Sequence, residues 1–479
     1  MTLPDLLSIL PVVVILTWGI ITLLADLLVP RGWKAVTASL AAAGMVSTTL
    51  LVLFDAGVER TGLGGMVLSD HYATILQVVI LLSGLIALAQ AFRYLQVHGI
   101  ERGEFYALML FSIGGMMLMT TAGDLVMVFL SLELFSIPLY VLAGLARPRE
   151  DSEEAALKYF LLGAFATGFL VYGIALVFGA AQTTDLTLLA ARLPDLLDSR
   201  LLLTGSLLVL AGLSFKVGAV PFHMWTPDVY QGAPTAVTSF MAVGAKVGGF
   251  AALLRIFLLG FPDMAGLWAP AVMVIAAVTM IWGNLAALSQ QNLKRMLAYS
   301  SIAHGGYMLM ALPASIDAAA ATQVAPAVLF YLAAYAVTNL GAWGFLMALE
   351  TRLGENLEIE DLAGMGKAYP VLALAMAVFM ISLTGLPPTV GFMGKFYLFR
   401  VVMQADLVWL AIIGVVTSLI SAYYYLRVIV MMYMREGTPI LRLDGWLRVT
   451  IWLTGALVLL LGMVPGFLFD VAALSQLLP

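Results

Sequence analysis

Apolar stretches of about twenty residues follow one another along almost the whole chain, separated by short segments that carry most of the charge. A bilayer requires stretches of this kind, because lipid offers no hydrogen-bond partner and a spanning segment must satisfy its own backbone as a helix. On that criterion the sequence predicts fourteen transmembrane helices, near 7–28, 35–54, 71–92, 105–121, 125–145, 156–180, 201–220, 234–256, 266–288, 296–313, 323–349, 370–404, 407–434 and 445–469. The first apolar run has no basic leading segment and is too long for a secretory signal, so it reads as a retained helix.

Two of the predicted spans are interrupted. The seventh carries Gly218 and Pro221 directly after Lys216, and the twelfth carries Gly385, Pro387, Pro388 and Gly391 just before Lys395. Proline removes a backbone donor and clashes with the preceding turn, so each helix is expected to break there. A broken membrane helix is tolerated only where the freed backbone faces protein or water. The two breaks lie five spans apart, an odd number, so the helices that hold them cross in opposite directions. The pattern predicts an all-α polytopic membrane protein built as an inverted repeat of two five-helix bundles, helices 4–8 and 9–13. The corresponding division is three N-terminal helices in 1–103, the repeats in 104–260 and 261–435, and a last helix in 436–479.

Composition and charge agree. The chain has 479 residues, of which 62% are hydrophobic and only 11% charged; its mean hydropathy is +1.02. A soluble protein carries about 25% charged residues. Cysteine is absent, which excludes disulfides, thiolate iron–sulfur ligation and thiol catalysis. Four histidines without an HExxH-like pair give no metal motif, and the net charge of −5 is scattered, so nothing points to nucleic acid. The basic residues test the helix count independently, because Lys and Arg concentrate in cytoplasmic loops. Of 23, fifteen fall in one set of alternate loops, from Arg31 and Lys34 to Arg442 and Arg448. Five fall in the other set, namely Arg60, Arg192, Arg200, Arg255 and Arg400, and three remain inside helices. Both termini are therefore expected on the outer side of the membrane.

The residues left in the apolar interior are Glu133, Lys216, Lys246 and Lys395. A charge at mid-membrane costs at least about 2.5–3.5 kcal/mol, so such residues ask for a function. One alternative is that they only pin helices together as buried pairs, a reading that suits Glu133 with Lys216. One carboxylate does not neutralise three lysines, however. The surplus must be hydrated, paired with another subunit or partly deprotonated, since desolvation penalises the charged form of an amine. Lys246 lies centrally among Gly244, Gly248 and Gly249, which permit close helix approach or water. His304 stands with Ser300, Ser301 and Tyr307 in a hydroxyl-rich stretch that reads equally as a water wire or as a hydrogen-bonded core. His223, near Trp225, Asp228 and Tyr230, reads as a residue of the inner mouth of span seven, either an uptake group or an interfacial loop residue. Asp26 reads as interfacial, the scattered aromatics and 26 methionines as lipid-facing or core packing, and the acidic stretch from Glu350 to Asp361, with Glu355, Glu358 and Glu360, as a solvated loop or a docking surface.

Five segments, LSLELFSIPLYVLAGL, EAALKYFLLGAFATGFLVYGIAL, GLSFKVGAVPFHMWTPDVYQGAPTAV, LSQQNLKRMLAYSSIAHGGYML and GLPPTVGFMGKFYLF, resemble the antiporter-like subunits of respiratory complex I over residues 70 to 435. WTPDVYQGAP, the lysine of GFMGKFYLF and the absence of a long lateral helix after span fourteen favour the N branch of that family over its M and L branches. The resemblance implies that Glu133 and Lys216 are the partners of spans five and seven, Lys246 the central lysine, Lys395 the terminal one and His304 the link between them, with His223 as a further candidate. It also implies that NADH, FMN, iron–sulfur clusters and quinone sit on partner subunits and no cofactor on this chain, with subunits of the M and K types as neighbours in a bacterial plasma membrane. Two other readings remain open: a subunit of a multi-subunit cation/proton antiporter, and a structural spacer whose channel does not conduct.

Overall fold

The computed structural model describes residues 3–352, 354, 356–475 and 477; Leu353, Glu355, Gln476 and the last two residues at each end lie outside them. The chain runs through α1 (Leu3–Leu28), α2 (Ala35–Phe54), a hairpin of β1 (Arg60–Gly62) and β2 (Val67–Ser69), α3 (His71–Val97), α4 (Gly103–Thr120), α5 (Leu125–Ala143) and α6 (Glu150–Ala181). It continues through α7 (Leu186–Arg192), α8 (Arg200–Val217), α9 (Trp225–Gly232), α10 (Thr235–Arg255), α11 (Ala265–Leu288), α12 (Leu293–Leu309) and α13 (Ala318–Leu349). The last elements are α14 (Met365–Ala368), α15 (Pro370–Thr384), α16 (Val390–Gln404), α17 (Val408–Met434), α18 (Gly445–Met463) and α19 (Gly466–Ala473).

Among the described residues, twelve helices are long and apolar enough to cross a membrane unaided. The other two predicted spans are the 17-residue α12 and the pair α15 and α16. Several helices begin at a short polar side chain. Asp70, Asp124, Ser199, Asn292, Asp317 and Asp444 each accept a backbone N–H of the turn that follows them, satisfying a donor that helix geometry leaves without a partner.

The connections meet in two groups, as alternating spans require. On one side, Val67 bridges Ala122, Asp124 bridges Asp185, and Arg255 binds Asp70 through two bonds of 2.7 and 2.9 Å. On the other, Asn292 bridges Glu358, and Asp228 joins Lys158 and Arg295, each at 2.8 Å. The two expected breaks are present, with a refinement. The predicted span 370–404 is two 15-residue helices, and span seven continues past its predicted end as α9. Since α8 starts on the first side and α15 on the second, the broken helices run in opposite directions.

Helix α10 is buried along its whole length, and α13 along nearly all of it, so these two form the centre of the bundle. Phe165, Tyr172 and Leu419, by contrast, are 68%, 61% and 76% exposed, an outer surface that suits hydrocarbon. Helices α6 and α8 pack backbone to backbone, because a Cβ on Gly173 would lie 2.8 Å from the Gly205 carbonyl oxygen.

Candidate functional site

The site grows out of the two breaks. In an unbroken helix the carbonyl of Val217 would accept from residue 221, which is a proline and has no N–H. The chain turns instead through Gly218, whose φ of 73° places it in the left-handed region that suits glycine. Gly218 and Ala219 return their amides to Phe215 and Ser214, and the Trp225 indole of α9 also donates to Phe215 O at 3.0 Å. Val217 O is left over. Lys246 Nζ, from α10, donates to it at 3.0 Å.

The second break repeats this chemistry. Leu383 and Thr384 would accept from residues 387 and 388, both prolines. Gly385 turns the chain at φ 86°, and Lys395 Nζ donates to Leu383 O at 3.2 Å, to Thr384 O at 2.8 Å and to Ser418 Oγ of α17 at 2.7 Å. In both places an ammonium supplies the donor that proline removed, which explains how a lysine is held inside an apolar bundle.

Lys216 is housed differently. Its Nζ donates to Ser136 Oγ of α5 at 2.6 Å and sits over the rings of Phe135 at 4.5 Å and Tyr159 at 5.3 Å, an aromatic cage for a cation. Glu133, one turn before Ser136, accepts from Thr167 of α6 at 2.7 Å. The expected direct pair between Glu133 and Lys216 is not formed: the two make no ion pair within 4.0 Å. Each has found a hydroxyl instead: the Glu133 carboxylate that of Thr167, and the Lys216 ammonium that of Ser136, whose own proton goes to Leu132 O.

Helix α12 joins the halves. A Cβ on Gly305 would be 3.4 Å from Lys246 Nζ, and Lys395 Nζ lies 4.7 Å from the centre of the Tyr307 ring. His304, which precedes Gly305, meets Tyr331 of α13 at 2.6 Å through Nδ1 and Tyr425 of α17 at 3.1 Å through Nε2. Tyr425 continues to Ser300 at 2.5 Å, and Tyr335 donates to Ser301 at 2.9 Å. Lys216, Lys246, His304 and Lys395 therefore stand in one row.

His223 does not join that row. It lies in the interruption between α8 and α9, half-buried, with its ring 6.3 Å from that of Trp282. Tyrosines read as packing residues, Tyr331, Tyr335, Tyr424 and Tyr425, carry the hydroxyls around His304 and Asn284. They converge from separate helices, so no spacing within one helix marks them as a group. Glu350, read as part of a solvated loop, is fully buried and 3.3 Å from Lys294, because α13 ends inside the bundle. Asp26, read as interfacial, lies near the end of α1 and binds Lys34 at 2.6 Å.

Two broken helices facing a lysine row define a membrane subunit of the antiporter-like class. Residues 122–421 match the family described as "NADH:quinone oxidoreductase/Mrp antiporter, TM". NADH-quinone oxidoreductase subunit N of Chloroflexus aggregans is 45% identical, over 97% of this chain and 96% of that protein; the subunit N of Trichlorobacter lovleyi is 43% identical over 97% and 95%. A chain of respiratory complex I from Thermus thermophilus is 34% identical, with a TM-score of 0.83 over 97% of this chain and 99% of that one. A chain of the Mrp complex from Dietzia, at 22% identity and a TM-score of 0.85, shares the fold. The chain belongs to the NADH-quinone oxidoreductase subunit N family, and it is a multi-pass membrane subunit of a larger complex.

Proposed function

We propose that this subunit moves protons across a bacterial plasma membrane along Glu133, Lys216, Lys246, His304 and Lys395, driven by quinone reduction on partner subunits. The observation that carries the reading is the pair of lysines held on the carbonyls that proline leaves without donors. An ammonium so placed is fixed but not neutralised by a carboxylate, and an amine can release and regain a proton. Glu133 and Lys216 act as a charge pair through space, so a change at one alters the protonation of the other. No redox step is assigned to this chain; NADH, FMN, iron–sulfur clusters and quinone belong to the partners, among which M- and K-type subunits are its neighbours. His223 is given a lesser role, since it stands apart from the row.

The antiporter reading predicts a need for alkali cations, whose sites want several oxygen ligands. The complex reconstituted in vesicles with choline as the only added cation should acidify one side during quinone reduction at the same rate as with sodium. Loss of acidification without sodium would favour the antiporter reading. The orientation, with both termini outside and loops 146–155 and 350–369 in the cytoplasm, follows from the basic residues. Cysteines introduced into those loops, in a chain that has none of its own, should be labelled by impermeant reagents only after the cells are opened; labelling of intact cells would reverse the topology.

A further inference from the structure

Beyond the lysine row, one buried acid is unaccounted for. Glu350, at the end of α13, is fully buried, and so are its main partners. Its Oε2 accepts from Tyr94 OH of α3 at 2.9 Å and from Thr235 Oγ1 of α10, with Lys294 Nζ of α12 at 3.3 Å. Its Oε1 accepts from the Gly354 amide at 2.7 Å. Burial alone would push this carboxyl up, but Lys294, Thr235, Gly354 and Tyr94 outweigh it and hold it below the usual carboxylate range.

On its outer side Glu350 lines a cavity of about 200 Å³ with Arg93, Tyr94, His98, Arg442 and Asp444. That is room for several waters, each of which occupies about 30 Å³ in the liquid. Arg93 and Arg442 are exposed, so the cavity reaches the surface on the basic side of the protein. His98 Nδ1 faces Tyr94 O at 2.8 Å and Nε2 faces Glu350 O at 3.1 Å, so the ring donates to both only when it carries a second proton.

Inward of Glu350, α13 presents polar groups four residues apart at Trp343, Asn339, Tyr335 and Tyr331, which helical spacing stacks along one slowly turning stripe. All four are buried. Tyr335 bonds Ser301 and Tyr331 bonds His304, while the Trp343 indole N–H and the Asn339 amide have no partner among the described residues. Buried donors of that kind call for ordered water. The stripe from Glu350 to Tyr331 covers twenty residues, roughly 28 Å of helix.

We propose that Glu350 is the group through which protons are taken up from the cavity and passed along this face of α13 to His304. The Glu350 carboxylate accepts a proton that the bulk delivers as hydronium through the cavity, leaving a neutral water there. The acid then gives a proton to the hydroxyl and water chain, in which each member accepts one proton and releases another, until the imidazole of His304 holds the extra one. Lys294 keeps the resting carboxylate charged and is a positioning residue.

The inference rests on His304 and Lys246 being proton carriers, and the test separates the two claims. The competing role for Glu350 is a buried ion pair that ties α3, α10, α12 and α13 together. Glu350→Gln with Lys294→Gln removes both charges together, so neither is left unpaired. In vesicles of the assembled complex, this double variant should assemble normally and lose proton uptake and quinone reduction about tenfold. Glu350→Asp should retain part of both activities. Tyr94→Phe with Thr235→Val keeps the packing volume and removes only hydroxyls; it should raise the solvent deuterium isotope effect on turnover, a readout that a structural role does not move, and it stands in should the charge variant fail to assemble. Wild-type turnover and isotope effect in these variants, while Lys246→Arg in the same vesicles is impaired, would overturn the uptake role alone. Wild-type turnover in Lys246→Arg as well would remove the reading on which it rests.

Discussion

At the break between α8 and α9, one carbonyl, that of Val217, has lost its donor to Pro221 and is met by Lys246 from a different helix. At the break between α15 and α16, two carbonyls have lost theirs to Pro387 and Pro388 and are met by Lys395 from the second half of the same broken helix. When the two turning glycines, Gly218 and Gly385, are set in register, Lys216 stands where the second break has Leu383. The first half thus holds two lysines and the second half one, with Ser418 completing its bonds. The shared element is the need of a broken helix for a donor. What differs is whether that donor rides on the broken helix or depends on how a neighbour packs, and this decides which movement can shift the lysine. Displacement of α8 relative to α10 would stretch the Lys246 contact, whereas Lys395 moves with its own helix.

The largest expected effect is on the lysines. Lys246→Ala and Lys395→Ala should each abolish proton uptake, but Lys246→Ala strands Val217 O alone, whereas Lys395→Ala strands Leu383 O and leaves Thr384 O with only the Ser418 hydroxyl. At about 1–3 kcal/mol for each buried group left unpaired, thermal unfolding of the purified complex should show the larger loss for Lys395→Ala. Equal losses would break the comparison. Next, Glu133→Gln removes the carboxylate whose charge acts on Lys216; it should slow proton uptake several-fold with assembly unchanged, and full activity would detach Glu133 from the path. A smaller change should follow Pro388→Ala, which returns an amide that can compete with Lys395 for Thr384 O. It should lower turnover a few-fold, whereas Pro270→Ala, in α11 away from both breaks, should not. The smallest concerns Asp228, which joins Lys158 and Arg295 and is held below the usual carboxylate range by them against its partial burial. A depressed carboxyl contributes stability that is complete above the ordinary carboxylate range and fades as pH falls through its lowered value. Because the group is a third exposed, Asp228→Asn should cost at most about 1 kcal/mol at neutral pH, and the deficit should vanish in acid; a deficit that persists there would mean a packing role.

Much of this was legible in the chain itself. The spans follow from apolar length, the breaks from Pro221, Pro387 and Pro388, and the lysines from the rarity of charge in lipid. What lysine does at a break was not legible, because the carbonyl it meets is identified by the backbone and not by a side chain. Tyr331, Tyr335 and Tyr425 around His304 escaped notice since they come from α13 and α17, and only packing brings them to α12. Glu350 was misread for a related reason: an acid just after a span looks solvated until the end of its helix is found inside the bundle. The contact between Glu133 and Lys216 was over-read, because two opposite charges at matching depth can each be satisfied by a hydroxyl.

The central claim is that Lys246 carries a proton and does more than supply positive charge to Val217 O. Lys246→Arg tests it, since a guanidinium keeps the charge and the donors but does not deprotonate in a protein. Proton uptake and quinone reduction are measured in reconstituted vesicles, with assembly checked on the same preparation. The account predicts that the variant assembles and that both rates fall together by at least about tenfold; wild-type rates would mean that Lys246 only holds charge in place and that the proton takes another path.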